Sequence, residues 1–431
     1  MTHPSRRTTR RSLAVLLAPV FALPFALASS LVAAPAGAAA NDTAATAATC
    51  EQYTICVLSP EHRADVNGNT TIQVLAPGML NVAARSWSIP VNGQPSQGKD
   101  DWFVQSAAPD AQGYVTLVFP AGRFPHGPTT VLINAWNSPA GDPHFTKSDT
   151  HYLQLYNTGG TSWAAGAPSA PAPAANMNLV FSEEFDAPLS ASRTGAGAEY
   201  AAAMPWEADG AEFGDAHFAD PNGPLNPFEV VDDDYLKITA SEAPDGFVDP
   251  KGWGRTHIGG LLSSLRTDAT GFTATYGYFE TRFMAPPGLG TWPAFWLMSK
   301  NRVTEGLSSS AAEIDIVEQH GESISLKRSS QASHCWRCNP ETNKTNVINS
   351  FTYGDAARTW HTYGVNVTPT DTVYYLDGVE TWRQPTLPDA HGEMFFMINL
   401  ATGGGWPTDL SMYDGNVDMW VDYIRVYEPT P

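Results

Sequence analysis

Apolar and polar residues alternate in short runs along most of this chain, and no long stretch repeats at the 3.6-residue period of a helix. Thr70–Leu75, Tyr114–Phe119 and Thr129–Ala135 read as strands, separated by the turn signals Asn67-Gly68, Asn92-Gly93 and His126-Gly127-Pro128. They predict an immunoglobulin-like β-sandwich over residues 41–157. Residues 158–176 lose all periodicity and fill with Ala, Pro, Gly and Ser, the composition of an extended, semi-rigid linker. Strand patterns then resume at Leu179–Phe181, Tyr235–Thr239, Gly277–Phe283, Trp360–Val367, Thr372–Leu376, Met394–Asn399 and Trp420–Tyr427. Strands over residues 177–431 in one unit favour a β-jelly-roll sandwich with a cleft on its concave face. The expected fold class is therefore all-β, and 36 Gly with 34 Pro suit strands joined by turns.

Residues 1–40 break the pattern. Arg6, Arg7, Arg10 and Arg11 precede an apolar run from Leu13 to Ala34, and small residues follow. That order predicts a secretory signal, with Arg10-Arg11 resembling a twin-arginine motif. The run could also span a bilayer as an uncleaved anchor. Pro19, Pro24 and the small-residue tail favour cleavage, so the protein is expected to be secreted and extracellular. Removing these four arginines takes the formal charge from −20 to −24. So acidic a chain repels nucleic acid and anionic membranes, and neither is an expected partner. A monomer is expected. Cys50, Cys56, Cys335 and Cys338 form two close pairs, which suits two local disulfides in an oxidising compartment. A zinc site would need a better second half than Cys50 and Cys56 provide. Trp87, Trp102 and Trp136 could form a sugar-binding face on the first domain, although tryptophan in a sandwich is commonly core.

The chemistry concentrates in Glu313-Ile314-Asp315-Ile316-Val317-Glu318. On a helix, Asp315 would lie about 200° and Glu318 about 140° from Glu313, so the three acids would not converge. Ser309 or Ser310 could cap such a helix. On a strand, Glu313 and Asp315 share one face while Ile314 and Ile316 enter the core. Glu318 then has the wrong parity, and one extra residue near Val317, a β-bulge, restores it. Crowded carboxylates resist joint ionisation. Glycoside hydrolysis uses that property: one carboxylate attacks, another keeps a proton for the leaving oxygen, and about 5 Å separates them in a retaining enzyme. By spacing alone, a solvent-facing acidic strand or a calcium site remains open.

The wider sequence resembles glycoside hydrolase family 16, in its laminarinase-like, bulged E-x-D-x-x-E form. Besides Glu313 to Glu318, the resemblance rests on Trp292-Pro293-Ala294-Phe295-Trp296-Leu297-Met298, Asn178 to Asp186, Tyr276 to Arg282, Trp360 to Gly364, Leu376-Asp377-Gly378, Asn399 to Gly404 and Val421 to Tyr427. It implies that Glu313 is the nucleophile, Asp315 the assisting carboxylate and Glu318 the general acid/base. It implies a substrate cleft drawing on Trp292, Trp296, His334, Trp336, Asn399 and Trp406. No cofactor is implied for catalysis, but a structural calcium is, with Asp422 and Glu184 as candidate ligands. The expected activity is a secreted, retaining endo-β-glycanase on β-1,3- or mixed β-1,3-1,4-glucan. Another β-linked polysaccharide (a bacterial exopolysaccharide or galactan) is the enzyme alternative, and a non-catalytic glucan-binding protein the other. Transglycosylation is open to any covalent intermediate. Three departures bear on substrate: Val367 stands where many laminarinases carry Trp, the Gln319–Lys344 stretch is distinctive, and 206–227 is an unusual insert.

Overall fold

A computed structural model describes residues 49–87, 102–160, 171–321, 328–337, 347–352 and 359–430. The leader at 1–40, most of the Ala/Pro stretch, and Cys338 lie outside them. Alternation in the first strands buries one face of each. Asn69–Leu75 turns Ile72 and Val74 inward, and Tyr114–Pro120 turns Val115, Leu117 and Phe119. With Cys56–Ser59 these form a three-stranded sheet. A second sheet runs in the order Asp65–Val66, Ser148–Asn157, Gly127–Trp136, Asn81–Trp87, Trp102–Ala107. The two sheets share one core, to which Val82, Val131, Ile133, Leu153 and Leu155 contribute. Cys50 and Cys56 form a disulfide, and Cys335 is also disulfide-bonded. Trp136 is half-buried, with the Arg85 guanidinium 5.7 Å from its ring centre. The side chains of Trp87 and Trp102 lie outside the described residues.

The strands from Met177 onward form two curled antiparallel sheets of a jelly roll that share the strand His257–Ser263. Its first half pairs with Tyr235–Glu242 and its second with Met394–Thr402. The inner sheet continues through Thr291–Ser299, Ala311–Gln319, Arg328–Trp336 and Val347–Thr352. The outer sheet runs from Tyr235–Glu242 through Asn416–Pro429, Gly277–Met284, His361–Val367, Asp371–Leu376 and Val379–Pro385. Phe279, Phe283, Phe295, Ile314, Ile316, Val317, Phe396, Val365 and Ile424 fill the space between them. Val367 joins this core.

This jelly roll is tied to the first sandwich by polar contacts. The Gln154 side chain donates to Asp418 O (2.7 Å) and accepts from Asp418 N (2.9 Å), extending the ladder across the junction. Arg63 pairs with the buried Asp418 carboxylate at 2.8 Å, and Tyr156 donates to Asp232 at 2.6 Å. A cavity of about 560 Å³ lies there, lined by Arg63, Asp65, Asp232, Lys237 and Trp420 among others. It holds charges of both signs and none of the Glu313–Glu318 carboxylates.

Candidate active site

The strand Ala311–Gln319 carries the expected bulge. Phe295 pairs with Val317 but Trp296 pairs with Asp315, so Ile316 is the extra residue. On the other side, Asp315 faces Ala332 and Glu318 faces Ser330, with two residues opposite one. Ile314, Ile316 and Val317 are all fully buried, and the bulge returns Glu318 to the face of Glu313 and Asp315. The register defines that face: Ala294, Trp296 and Met298 stand beside the three acids on one strand, Ser330, Ala332 and His334 on the other. The pocket above, about 310 Å³, is lined by Glu313, Asp315 and Glu318 with Trp292, Trp296 and Trp336.

The acids are held individually. Trp336 Nε1 donates to Glu313 Oε2 at 3.1 Å, and Trp292 Nε1 donates to Glu318 Oε1 at 3.1 Å. Ser330 Oγ reaches Glu318 Oε2 at 3.4 Å. His334 Nε2 lies 2.9 Å from Asp315 Oδ2. Ligand-capable atoms of Glu313, Asp315 and His334 all fall within 4.8 Å of one another. Burial first, and then the Asp315 charge, pushes both Glu313 and Glu318 above the usual carboxylate range.

The remaining expected cleft residues divide. Trp406 flanks Trp292, with ring centres 5.7 Å apart, and meets His320 edge-on. Asn399 is fully buried and does not line the pocket: its Oδ1 accepts from Trp296 Nε1 (2.9 Å) and its Nδ2 donates to Trp292 O (3.0 Å). Its neighbours explain the correction. The segment 200–219 packs over this side of the inner sheet, burying Met397, Ala401 and Leu261 with its own Met204, Ala211 and Phe218. The cleft is thus narrower than an open concave face.

That covering segment supplies residues the sequence reading missed. Met204, Trp206 and Phe213 line the pocket, as does Arg302 from the short helix Asn301–Thr304. Phe213 meets Trp292 and Trp296 edge-on, at 5.1 and 6.1 Å between ring centres. Two aromatics, Trp206 and Phe213, flanking Glu207, Asp209 and Glu212 in an aperiodic loop were the available signal. Glu212, its side chain fully buried, anchors the segment. Arg193 binds one of its oxygens, and Arg255 and His217 bind the other. Burial alone would raise the Glu212 carboxyl, but His217, Arg193 and Arg255 outweigh it and hold it at about 2.

Asp422 and Glu184 do not fit a calcium site. Arg282 lies on the Asp422 carboxylate at 2.9 Å, and Arg425 grips both oxygens of Glu184 at 2.7 Å. These guanidinium groups already match the charge that a dication would require. Among the described residues, no helix is long and apolar enough to cross a membrane.

The sequence signature of glycosyl hydrolases family 16 matches residues 229–424. The chain is 34% identical over 212 residues to an endo-1,3-1,4-beta-glycanase, ExsH, of Rhizobium meliloti, covering 48% of this chain and 41% of that protein. Its similarity to the endo-1,3-1,4-beta-glycanase EglC of the same organism is 34% over 209 residues, again 48% and 41% of the two chains. This chain thus spans about two fifths of the length of these relatives. Among solved structures, a non-specific endo-beta-1,3(4)-glucanase, SCLam, aligns over 61% of this chain and 95% of its own at 21% identity, TM-score 0.48. Residues 229–424, the domain that holds the three carboxylates, match glycosyl hydrolases family 16.

Proposed function

We propose that the protein is a secreted, retaining endo-β-glycanase that hydrolyses β-1,3- or mixed β-1,3-1,4-glucan. The observation that carries this is the bulge at Ile316, which sets Glu313, Asp315 and Glu318 on one face of a strand beneath Trp292, Trp296 and Trp336. Glu313, ionised, attacks the anomeric carbon, and protonated Glu318 gives its proton to the leaving oxygen. Trp336 Nε1 steadies the Glu313 carboxylate before attack. Glu318, now ionised, takes a proton from water, which displaces Glu313 and releases the sugar with its original anomeric configuration. Burial, and then the Asp315 charge, raises Glu318 and favours its protonated form; the same two causes raise Glu313, which His334 and the Trp336 N–H oppose. The indole faces offer flat apolar surface to the C–H faces of pyranose rings.

The names of the two Rhizobium relatives support the mixed 1,3-1,4 linkage and the endo mode for this chain. The basic-apolar leader supports export, and the docked first sandwich, read as immunoglobulin-like, supports a spacer role. Glu313→Gln should abolish release of reducing ends from mixed-linkage glucan while the protein still binds the polymer. Near-normal turnover by that variant refutes the assignment.

A further inference from the structure

The loop 244–256 lies outside the carboxylate pocket, and the reaction above makes no use of it. It is nevertheless firmly tied. Asp249 accepts the backbone N–H groups of Lys251 (3.0 Å), Trp253 (2.9 Å) and Arg255 (3.2 Å). It also accepts from Arg255 Nε at 3.1 Å and Nη2 at 2.6 Å. The Arg255 side chain is buried, is shared with the buried Glu212, and sets its guanidinium carbon 4.7 Å from the Trp253 ring centre. Trp253 itself is 58% exposed, more than any other tryptophan among the described residues. An indole left in water forgoes a large apolar burial term. Here a buried ion-pair network supports one face of the ring and leaves the other to solvent.

The same loop is continuous with the cleft wall. Lys251 Nζ binds Asp209 (3.0 Å) and Glu207 (3.4 Å), and Glu207 directly follows the pocket residue Trp206. Arg255 binds Glu212, which directly precedes the pocket residue Phe213. The Trp253 loop is thus joined by ion pairs to the segment that carries the pocket residues Trp206 and Phe213.

We propose that Trp253 is a distal carbohydrate-binding platform, on which a pyranose ring of the neutral β-linked polymer stacks beyond the catalytic pocket. The assignment rests on reading the pocket as a β-glycanase site. Its chemistry is that of a flat indole, braced from behind, against the apolar C–H face of an equatorially linked sugar. Such a platform contributes only to chains long enough to reach it.

The test compares wild type, Trp253→Ala and Trp253→Phe on polymeric mixed-linkage glucan and on a chromogenic trisaccharide. Trp253→Ala should raise KM on the polymer about tenfold at unchanged kcat, with wild-type kinetics on the trisaccharide, and Trp253→Phe should recover most of the loss. Native gels cast with the glucan should retard Trp253→Ala less than wild type. That readout needs no turnover, so a dead pocket and a wrong platform give different results. Equal retardation of the two proteins, or equal losses on polymer and trisaccharide, would overturn the proposal.

Discussion

Replacing Asp315 with Asn removes one negative charge from between Glu313 and Glu318 and leaves the shape of the side chain almost unchanged. Glu313 and Asp315 place carboxylate oxygens within 4.8 Å of each other. At that separation and an effective dielectric constant of about 20, the repulsion is about 3.5 kcal/mol. The opposing charge of His334, 2.9 Å from Asp315, and the partial exposure of the pocket reduce this net effect. A shift of about one pH unit, corresponding to about 1.4 kcal/mol, is a conservative expectation for each glutamate. The sign follows from the two roles. Glu313 must be ionised, so activity falls as pH drops through its pKa; Glu318 must be protonated, so activity falls as pH rises through its pKa. Asp315 raises both values, and its neutralisation lowers both. Both limbs of the pH profile of kcat/KM should therefore move about one unit toward acid. Initial rates of reducing-end release between pH 4 and 9 read this directly, with melting temperature as the control for folding. Limbs that stay in place in a folded Asp315→Asn variant would refute the electrostatic role.

Trp292→Phe should act in the opposite direction, because the lost N–H at 3.1 Å stabilises ionised Glu318; the alkaline limb should rise by up to about one unit. An alkaline limb that is unmoved or lowered in rate measurements on that variant would contradict the bond. Stability should also depend on pH through the junction histidines. Burial, reinforced by Arg63 at His62 and by His62 at His151, lowers both from 6.5 to about 4. His62 contacts support its neutral form, since Nδ1 accepts from Gln154 N (3.4 Å) while Nε2 lies 3.2 Å from Asn416 O. The unfolded chain takes up these protons below about 6.5 and the folded one only below about 4, so their contribution to stability falls through that window and levels beneath it. Chemical denaturation at pH 7.5, 5.5 and 4.5 should show a shallower decline in His62→Gln than in wild type. Parallel declines would count against the junction as the source.

The sequence carried the catalytic strand in detail. Three acids among Ile314, Ile316 and Val317 cannot share one face of a strand without an extra residue; the sequence suggested a bulge near Val317, and it stands at Ile316. The strands flanking it were legible for the same reason, since each buries one face. What escaped depends on contacts between distant residues. Asn399 sits on the pocket side of its strand but lies beneath the segment 200–219. That segment is fixed by Glu212 with Arg193 and Arg255, charges that look like ordinary loop polarity until they meet. Likewise, the acidity of Asp422 and Glu184 suggested a cation site, and only the fold shows that Arg282 and Arg425 already occupy both. The Arg302 position depends on a single helical turn, Asn301–Thr304, too short to leave a periodic signal.

The central claim is that Glu313 forms a covalent bond to the sugar while Glu318 manages protons. Trapping tests it most directly. The full chain is inactivated with a 2-deoxy-2-fluoro β-glucobioside bearing an activated leaving group, digested, and its peptides weighed. The account predicts one glycosyl adduct, on the peptide spanning Ala311–Gln319 and fragmenting at Glu313. An adduct on Glu318 or Asp315, or time-dependent turnover of the reagent with inversion and no adduct, would contradict it.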